Sequence, residues 1–145
     1  MITGIGHVAF RVQDIERSKD FYCTRLGFRH AFNIERDGEI RIVYIHIAGD
    51  QFLELFPTPN AEPLPAGARP SYAHVQLMVS DLEQTLTELE SRGIPRPETP
   101  PRQGRDGNWQ SWLTDPDGNR IELMQMMPGS LQEQAATRLA AEARA

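Results

Sequence analysis

The chain has 145 residues and a formal charge of −5, with fifteen Lys and Arg against twenty Asp and Glu. That length suits one compact domain or two small modules sharing a core, and the acidic balance excludes a general nucleic-acid binder, which needs a basic face for phosphates. No apolar run nears the ~20 residues of a membrane span, the opening MITGIGHVAF lacks the plan of a signal peptide, and the single Cys23 allows neither an intrachain disulfide nor a thiolate zinc cage.

A cytoplasmic setting is therefore expected, with any metal held by His, Asp or Glu. In chain order, residues 5–12 alternate as a strand. Asp14 can cap a helix over 15–26, with Tyr22 and Leu26 one turn apart and Gly27 as its left-handed stop. Strands follow over 28–35, 40–48 and 51–56, separated by Asp37-Gly38 and Gly49-Asp50 turns. A Pro-rich linker covers 59–70. A second strand begins with His74. Asp81 and Gln84 then open a helix like a capping box, the stripe Leu82, Leu86, Leu89 follows, and Gly93 closes it. A short strand is expected near 98–101, then strands over 108–114 and 119–126 around an Asp115-Pro116-Asp117-Gly118 turn. Residues 129–145 read as a marginal helix or a solvated tail.

This order repeats. GHVAFRVQDIERSKDFYCTRLGF from Gly6 is echoed by AHVQLMVSDLEQTLTELESRGI from Ala73, with His7 to His74 and Asp14 to Asp81 both 67 residues apart (74 − 7 and 81 − 14). QFLELFPTP around Glu54 is echoed by NRIELMQMMP around Glu122, 68 residues on (122 − 54). A spacing held within one residue over a whole module is the mark of a duplication. The chain thus reads as an α+β fold of two tandem β-α-β-β-β modules, 4–58 and 71–127, forming one domain over 1–127 with a C-terminal tail from 128.

Alternation along each strand sorts side chains onto faces. His7, Ala9 and Arg11 share a face, as do His74, Gln76 and Met78; Phe52 and Phe56 accompany Glu54, and Arg120 and Met124 accompany Glu122. The opposite faces are purely aliphatic or aromatic and suit packing against helices. The mixed faces suit a lined pocket, with Phe52, Phe56, Gln76, Met78, Trp112 and Met124 as candidate walls for a small-molecule substrate. Two neutral imidazoles and two carboxylates suit one divalent first-row ion per site, whether Ni, Co, Zn, Mn or Fe. Four protein ligands leave two octahedral positions open, and the lack of a thiolate disfavours structural zinc. A lone strand His is usually an ordinary polar residue. Two His and two Glu in register across a duplication are harder to dismiss, whereas His30 and His46 have no repeat partners and Cys23 has no base beside it in sequence.

At these residues the chain resembles the vicinal oxygen chelate (glyoxalase, bleomycin resistance, dioxygenase) superfamily, over about residues 4–127 and most specifically in GHVAFRVQDIERSKDFYCTRLGF and LTDPDGNRIELMQ. The resemblance implies paired βαβββ modules in an incomplete barrel around the metal, ligands His7, Glu54, His74 and Glu122, and a homodimer. The His/Glu/His/Glu set looks most like glyoxalase I (lactoylglutathione lyase), whose glutathione-binding arginine corresponds to Arg11. It implies a lyase or isomerase using metal-assisted proton transfer through an enediolate, with Glu122 or the symmetric Glu54 as base and glutathione as co-substrate. Thr58 stands where that enzyme has Asn, and RQGRDGNWQSW replaces its Lys/Gly-rich stretch, with Arg102 and Arg105 as substitute anion contacts. Other readings are a related metalloenzyme on a keto-sugar, hydroxy acid or dioxygenase substrate, and a metal-free antibiotic-binding protein using Trp109, Trp112 and the Phe pair.

Overall fold

Each half of the chain folds as a strand, a helix and three more strands. The computed structural model describes residues 5–59 and 73–142, so most of the 59–70 linker lies outside the described residues. The first half comprises β1 (His7–Val12), α1 (Ile15–Lys19) running into a π-helical turn (Asp20–Arg25), β2 (Arg29–Arg36), β3 (Glu39–Ala48) and β4 (Gln51–Pro57). The second comprises β5 (Val75–Val79), α2 (Leu82–Ser91), β6 (Arg102–Gln103), β7 (Trp109–Thr114) and β8 (Arg120–Gln125), followed by α3 (Leu131–Glu142). The sheets are open and four-stranded, ordered β1-β4-β3-β2 and β5-β8-β7-β6. In both, the first strand of the module pairs parallel with the last, so the duplication in sequence is a duplication in topology.

Local chemistry explains the boundaries. The Asp14 carboxylate accepts from the backbone N–H groups of Glu16 and Arg17, and Asp81 does the same for Gln84. The capping box at α2 is only half made, because the Gln84 side chain turns to Glu88 rather than back to the cap. Gly27 and Gly93 take φ of 80° and 83°, which L side chains disfavour, and end their helices as expected.

Two expectations need correction, and one that was left open is resolved. The helix over 15–26 is α-helical only to Lys19 and then widens into a π turn, in which Phe21 and Tyr22 are both buried. The strand near 98–101 lies instead at Arg102–Gln103, because Pro100 and Pro101 have no N–H to give to a ladder. Of the two readings of the tail, the helix holds over Leu131–Glu142, with Ser130 Oγ accepting from the Glu133 N–H.

The chain divides into two compact units: residues 1–73 with 114–119, and residues 74–113 with 120–145. In the first, Phe10, Val12, Phe21, Tyr22, Val43, Ile45, Leu53 and Leu55 form the core; in the second, Leu82, Leu86, Leu89, Ile94, Leu113, Ile121 and Leu123 do. The outward face of the α2 stripe is polar, and truncating one of its leucines to Ala would cost about 2–5 kcal/mol.

The turn between β7 and β8 belongs to the first unit. Gly118 N–H donates to Asp115 C=O at 3.0 Å, with Pro116 at the second position, the arrangement of a type I turn. The buried Asp115 carboxylate accepts from the Tyr22 hydroxyl at 2.8 Å, from the Asn119 amide and from two backbone N–H groups of the turn. Asp117 accepts from Gln13 N–H, the Arg17 guanidinium and Ser18 Oγ. Both oxygens of Asp115 and Oδ1 of Asp117 are therefore matched by donors, as burial of charge requires, while Ser18 Oγ stands between the Asp14 carbonyl and Asp117 Oδ2.

Candidate metal centre

In the first unit, Glu54 lies on β4 between β1 and β3. Its neighbour in register is Ala9 on β1 and Tyr44 on β3. His7, two residues before Ala9, reaches diagonally, and its Nε2 stands 3.3 Å from Glu54 Oε2. The second unit repeats this placement. Glu122 on β8 faces Gln76 on β5, and His74, two residues earlier, brings Nε2 to 3.1 Å from Glu122 Oε2. In each pair the carboxylate is nearly buried, at 7% and 12% side-chain exposure, while the imidazole above it is open at 48% and 35%. Each pair therefore sets a nearly buried carboxylate beside a partly exposed imidazole.

Two ligands at about 2.1 Å from one ion and at right angles to each other stand about 3.0 Å apart. The His–Glu spacings match that separation, and one imidazole nitrogen with one carboxylate oxygen fits a divalent first-row ion. Within each unit the grouping stops at two: among the described residues, no three His, Cys, Asp or Glu side chains are grouped to hold an ion.

An aromatic side chain flanks each pair. Tyr44 meets the His7 ring edge-on at 6.1 Å, and its hydroxyl is hydrogen-bonded to Glu54. That bond, with burial and the carboxylate's charge, raises the phenol above its ordinary pKa, so it stays a donor. Trp112 meets the His74 ring edge-on at 4.9 Å, and the Arg120 guanidinium lies 4.3 Å over the indole. Sequence reading missed Tyr44 as a site residue. Its signal was the repeat: Tyr44 and Trp112 are 68 residues apart (112 − 44), the step from Glu54 to Glu122.

The other candidates divide by surroundings. Phe52 is half-buried and touches Tyr44 and His46 edge-on or tilted, and Phe56 is half-buried opposite Arg11. Arg11 is exposed on the His7 face, with no ion pair to a described residue. Gln76 is exposed and Met78 is 67% exposed, whereas Met124, its partner in register, is fully buried. His30 and His46 are satisfied locally, by Asn33 Oδ1 and the Gly49 carbonyl. Burial pushes the Cys23 thiol above its ordinary pKa, away from the reactive thiolate.

Comparison with known proteins identifies the family. Residues 4–123 match the family described as Glyoxalase/Bleomycin resistance protein/Dioxygenase superfamily. An uncharacterised protein of Bacillus subtilis (strain 168), YwkD, is 30% identical over 85% of this chain and 97% of its own length. A probable lactoylglutathione lyase of Synechocystis sp. is 26% identical over 82% of this chain and 92% of its own. A solved structure of a glyoxalase family protein from Enterococcus faecalis superposes with a TM-score of 0.73 at 26% identity, covering 83% of this chain and 96% of that one.

Proposed function

The chain belongs to the glyoxalase/bleomycin resistance protein/dioxygenase superfamily, and on that premise we propose that it is a divalent-metal-dependent lyase or isomerase of glyoxalase I type. The observation that carries this reading is the pair of His–Glu contacts at repeat-equivalent strand positions, each at the spacing of adjacent metal ligands. His7, Glu54, His74 and Glu122 are the ligands, drawn from one chain or from two copies in a homodimer. A bound ion, one of Ni, Co, Zn, Mn or Fe, would supply Lewis acidity toward an α-hydroxycarbonyl substrate.

The protein's own groups move the proton. Glu122 takes it from the carbon beside the carbonyl and returns it to the neighbouring carbon, at the side-chain oxygen that the structure holds beside His74 Nε2. Glu54 is the less suited of the two carboxylates for this role, because the Tyr44 hydroxyl and His7 both hold it. Arg11, exposed and without a carboxylate partner among the described residues, is placed to take a negative group of the substrate, as would suit the hemithioacetal of methylglyoxal and glutathione. Phe52, Phe56 and Trp112 limit water at the reacting carbon. The protein acts in the cytoplasm; no helix of the described residues is long and apolar enough to cross a membrane.

The test is turnover of the methylglyoxal–glutathione hemithioacetal with each metal added in turn. Glu122→Gln should lower kcat at least a hundredfold, the usual scale for a general base, and Glu54→Gln less. Equal turnover in wild type and Glu122→Gln would contradict the assignment. A chain that holds metal but turns over no hemithioacetal would move the reading to another oxygenated substrate of the same superfamily.

A further inference from the structure

β2 is an edge strand of the first sheet, and it carries one residue more than the stretch of β3 it pairs with. Arg29 opposes His46 and His30 opposes Ile45, but Phe32, not Ala31, opposes Tyr44. Ala31 is thus the extra residue of a β-bulge. An unbroken register from the Arg29–His46 pair would set Ala31 opposite Tyr44, and Phe32 opposite Val43, which is fully buried in the core. The bulge therefore turns Phe32 away from the core face and onto the face of Tyr44 and Glu54, which are themselves opposed across β3 and β4. Re-aiming a side chain is a known use of a bulge.

That placement has a cost. Phe32 is left 47% exposed, although an aromatic ring is among the most stabilising side chains a core can bury. What Phe32 gains instead is one ring: it lies 4.3 Å from Tyr44 between centroids, with the planes 19° apart. Tyr44 meets His7 edge-on and is hydrogen-bonded to Glu54 through its hydroxyl, so it touches both members of the first His–Glu pair. A tyrosine on an open sheet face can turn about two side-chain torsions, and its hydroxyl has water as an alternative partner. A near-parallel ring against it restricts those orientations. The second unit backs its ring with a different residue. Sixty-eight residues after Phe32 stands Pro100 (32 + 68), outside the two-residue β6, and β6 reaches no further along β7 than Gln110. There the Arg120 guanidinium lies over the Trp112 indole from β8. Each ring beside a histidine thus has its own backing.

We propose that Phe32 is a positioning residue of the first His–Glu pair: stacked on Tyr44, it keeps the hydroxyl on Glu54 and the ring edge on His7. It acts through Tyr44, the ring it contacts. The inference rests on the reading of His7 and Glu54 as metal ligands, but its first readout needs no metal.

The test compares the full chain with Phe32→Ala, which removes the ring, and Phe32→Tyr, which keeps it. Phe32 is exposed on an edge strand, so neither change opens a core cavity and both variants should keep the wild-type thermal midpoint. Phe32→Leu, which keeps apolar bulk without a ring, should behave as Phe32→Ala. In EDTA, nuclear Overhauser cross-peaks between the Tyr44 and His7 ring protons should be present in wild type, lost in Phe32→Ala and retained in Phe32→Tyr. In a Ni titration, Phe32→Ala should bind about three- to tenfold more weakly, the scale of one aromatic pair, and Phe32→Tyr should match wild type. A cycle with Tyr44→Phe separates positioning from general stability. Once the hydroxyl is gone, Phe32→Ala should weaken binding by less than about twofold more, because the ring no longer holds a donor in place. A cross-peak that persists in Phe32→Ala, Ni affinity equal to wild type in that variant, or fully additive losses in the double variant would overturn the role. The two readings fail separately. A chain that takes up no metal yet loses the cross-peak removes the glyoxalase reading and leaves Phe32 as the support of Tyr44, whereas a persistent cross-peak removes that support whatever the metal affinity.

Discussion

Tyr44 and Trp112 occupy the same place in the two repeats, yet they act on the ligand pairs differently. Tyr44 reaches the carboxylate and meets the His7 ring only at 6.1 Å, whereas Trp112 lies closer to its histidine, at 4.9 Å, and has no oxygen to offer the glutamate. The duplication therefore produced two His–Glu pairs with unequal supports. Partners behind a metal ligand typically alter metal affinity by ten- to a hundredfold when removed. Tyr44→Phe, which keeps the ring and loses the donor, should weaken metal binding about tenfold in a chelator competition while leaving the thermal midpoint within a degree or two. Unchanged affinity would mean that Glu54 needs no fixing. The two His–Glu pairs proposed as ligands were legible in the sequence because His and Glu recur at a fixed step on alternating strands. Tyr44 was not, because its role depends on β3 lying beside β4, a pairing that alternation within one strand does not report.

At the scale of elements, the Asp115–Gly118 turn does more than close a hairpin. Its two carboxylates are buried against the start of α1 and the π turn, and the Tyr22 hydroxyl is one of Asp115's donors. A hydrogen bond to a buried charge contributes about 1.5–3 kcal/mol. Tyr22→Phe should thus lower unfolding free energy by about that amount, and Asp115→Ala by more, since it strands the hydroxyl and two backbone N–H groups. Urea unfolding checks both, and a loss below about 0.5 kcal/mol for Asp115→Ala would show that the turn is not anchored. The turn type was readable from Asp-Pro-Asp-Gly, but its docking was not, since local turn chemistry carries no information about the surface that receives it. The π turn was hidden for a related reason: a pattern of period 3.6 fits α and π segments alike over six residues. The β6 strand was displaced because an extended segment was read through Pro100 and Pro101, where pairing cannot begin.

For the molecule as a whole, the internal repeat carried most of the fold. Two copies of strand, helix and three strands, each placing its first strand parallel to its last, follow from a 67–68-residue step that is visible without any structure. The same step made the ligand set expected and made Arg11 and Met78 counterparts, one charged and one apolar, on matching strands. What the repeat could not indicate is what stands where the modules differ, as Trp112 does in place of Tyr44. The central claim is that the two His–Glu pairs exist to hold metal. Its most direct measurement is the stoichiometry and affinity of Ni, Co, Mn and Zn binding to the EDTA-stripped protein by titration calorimetry, for wild type and for His7→Ala and His74→Ala. The account predicts one ion per site of four ligands, with both single variants losing affinity by at least a hundredfold. Wild-type protein that takes up none of these ions, or variants that bind as tightly as wild type, would contradict it.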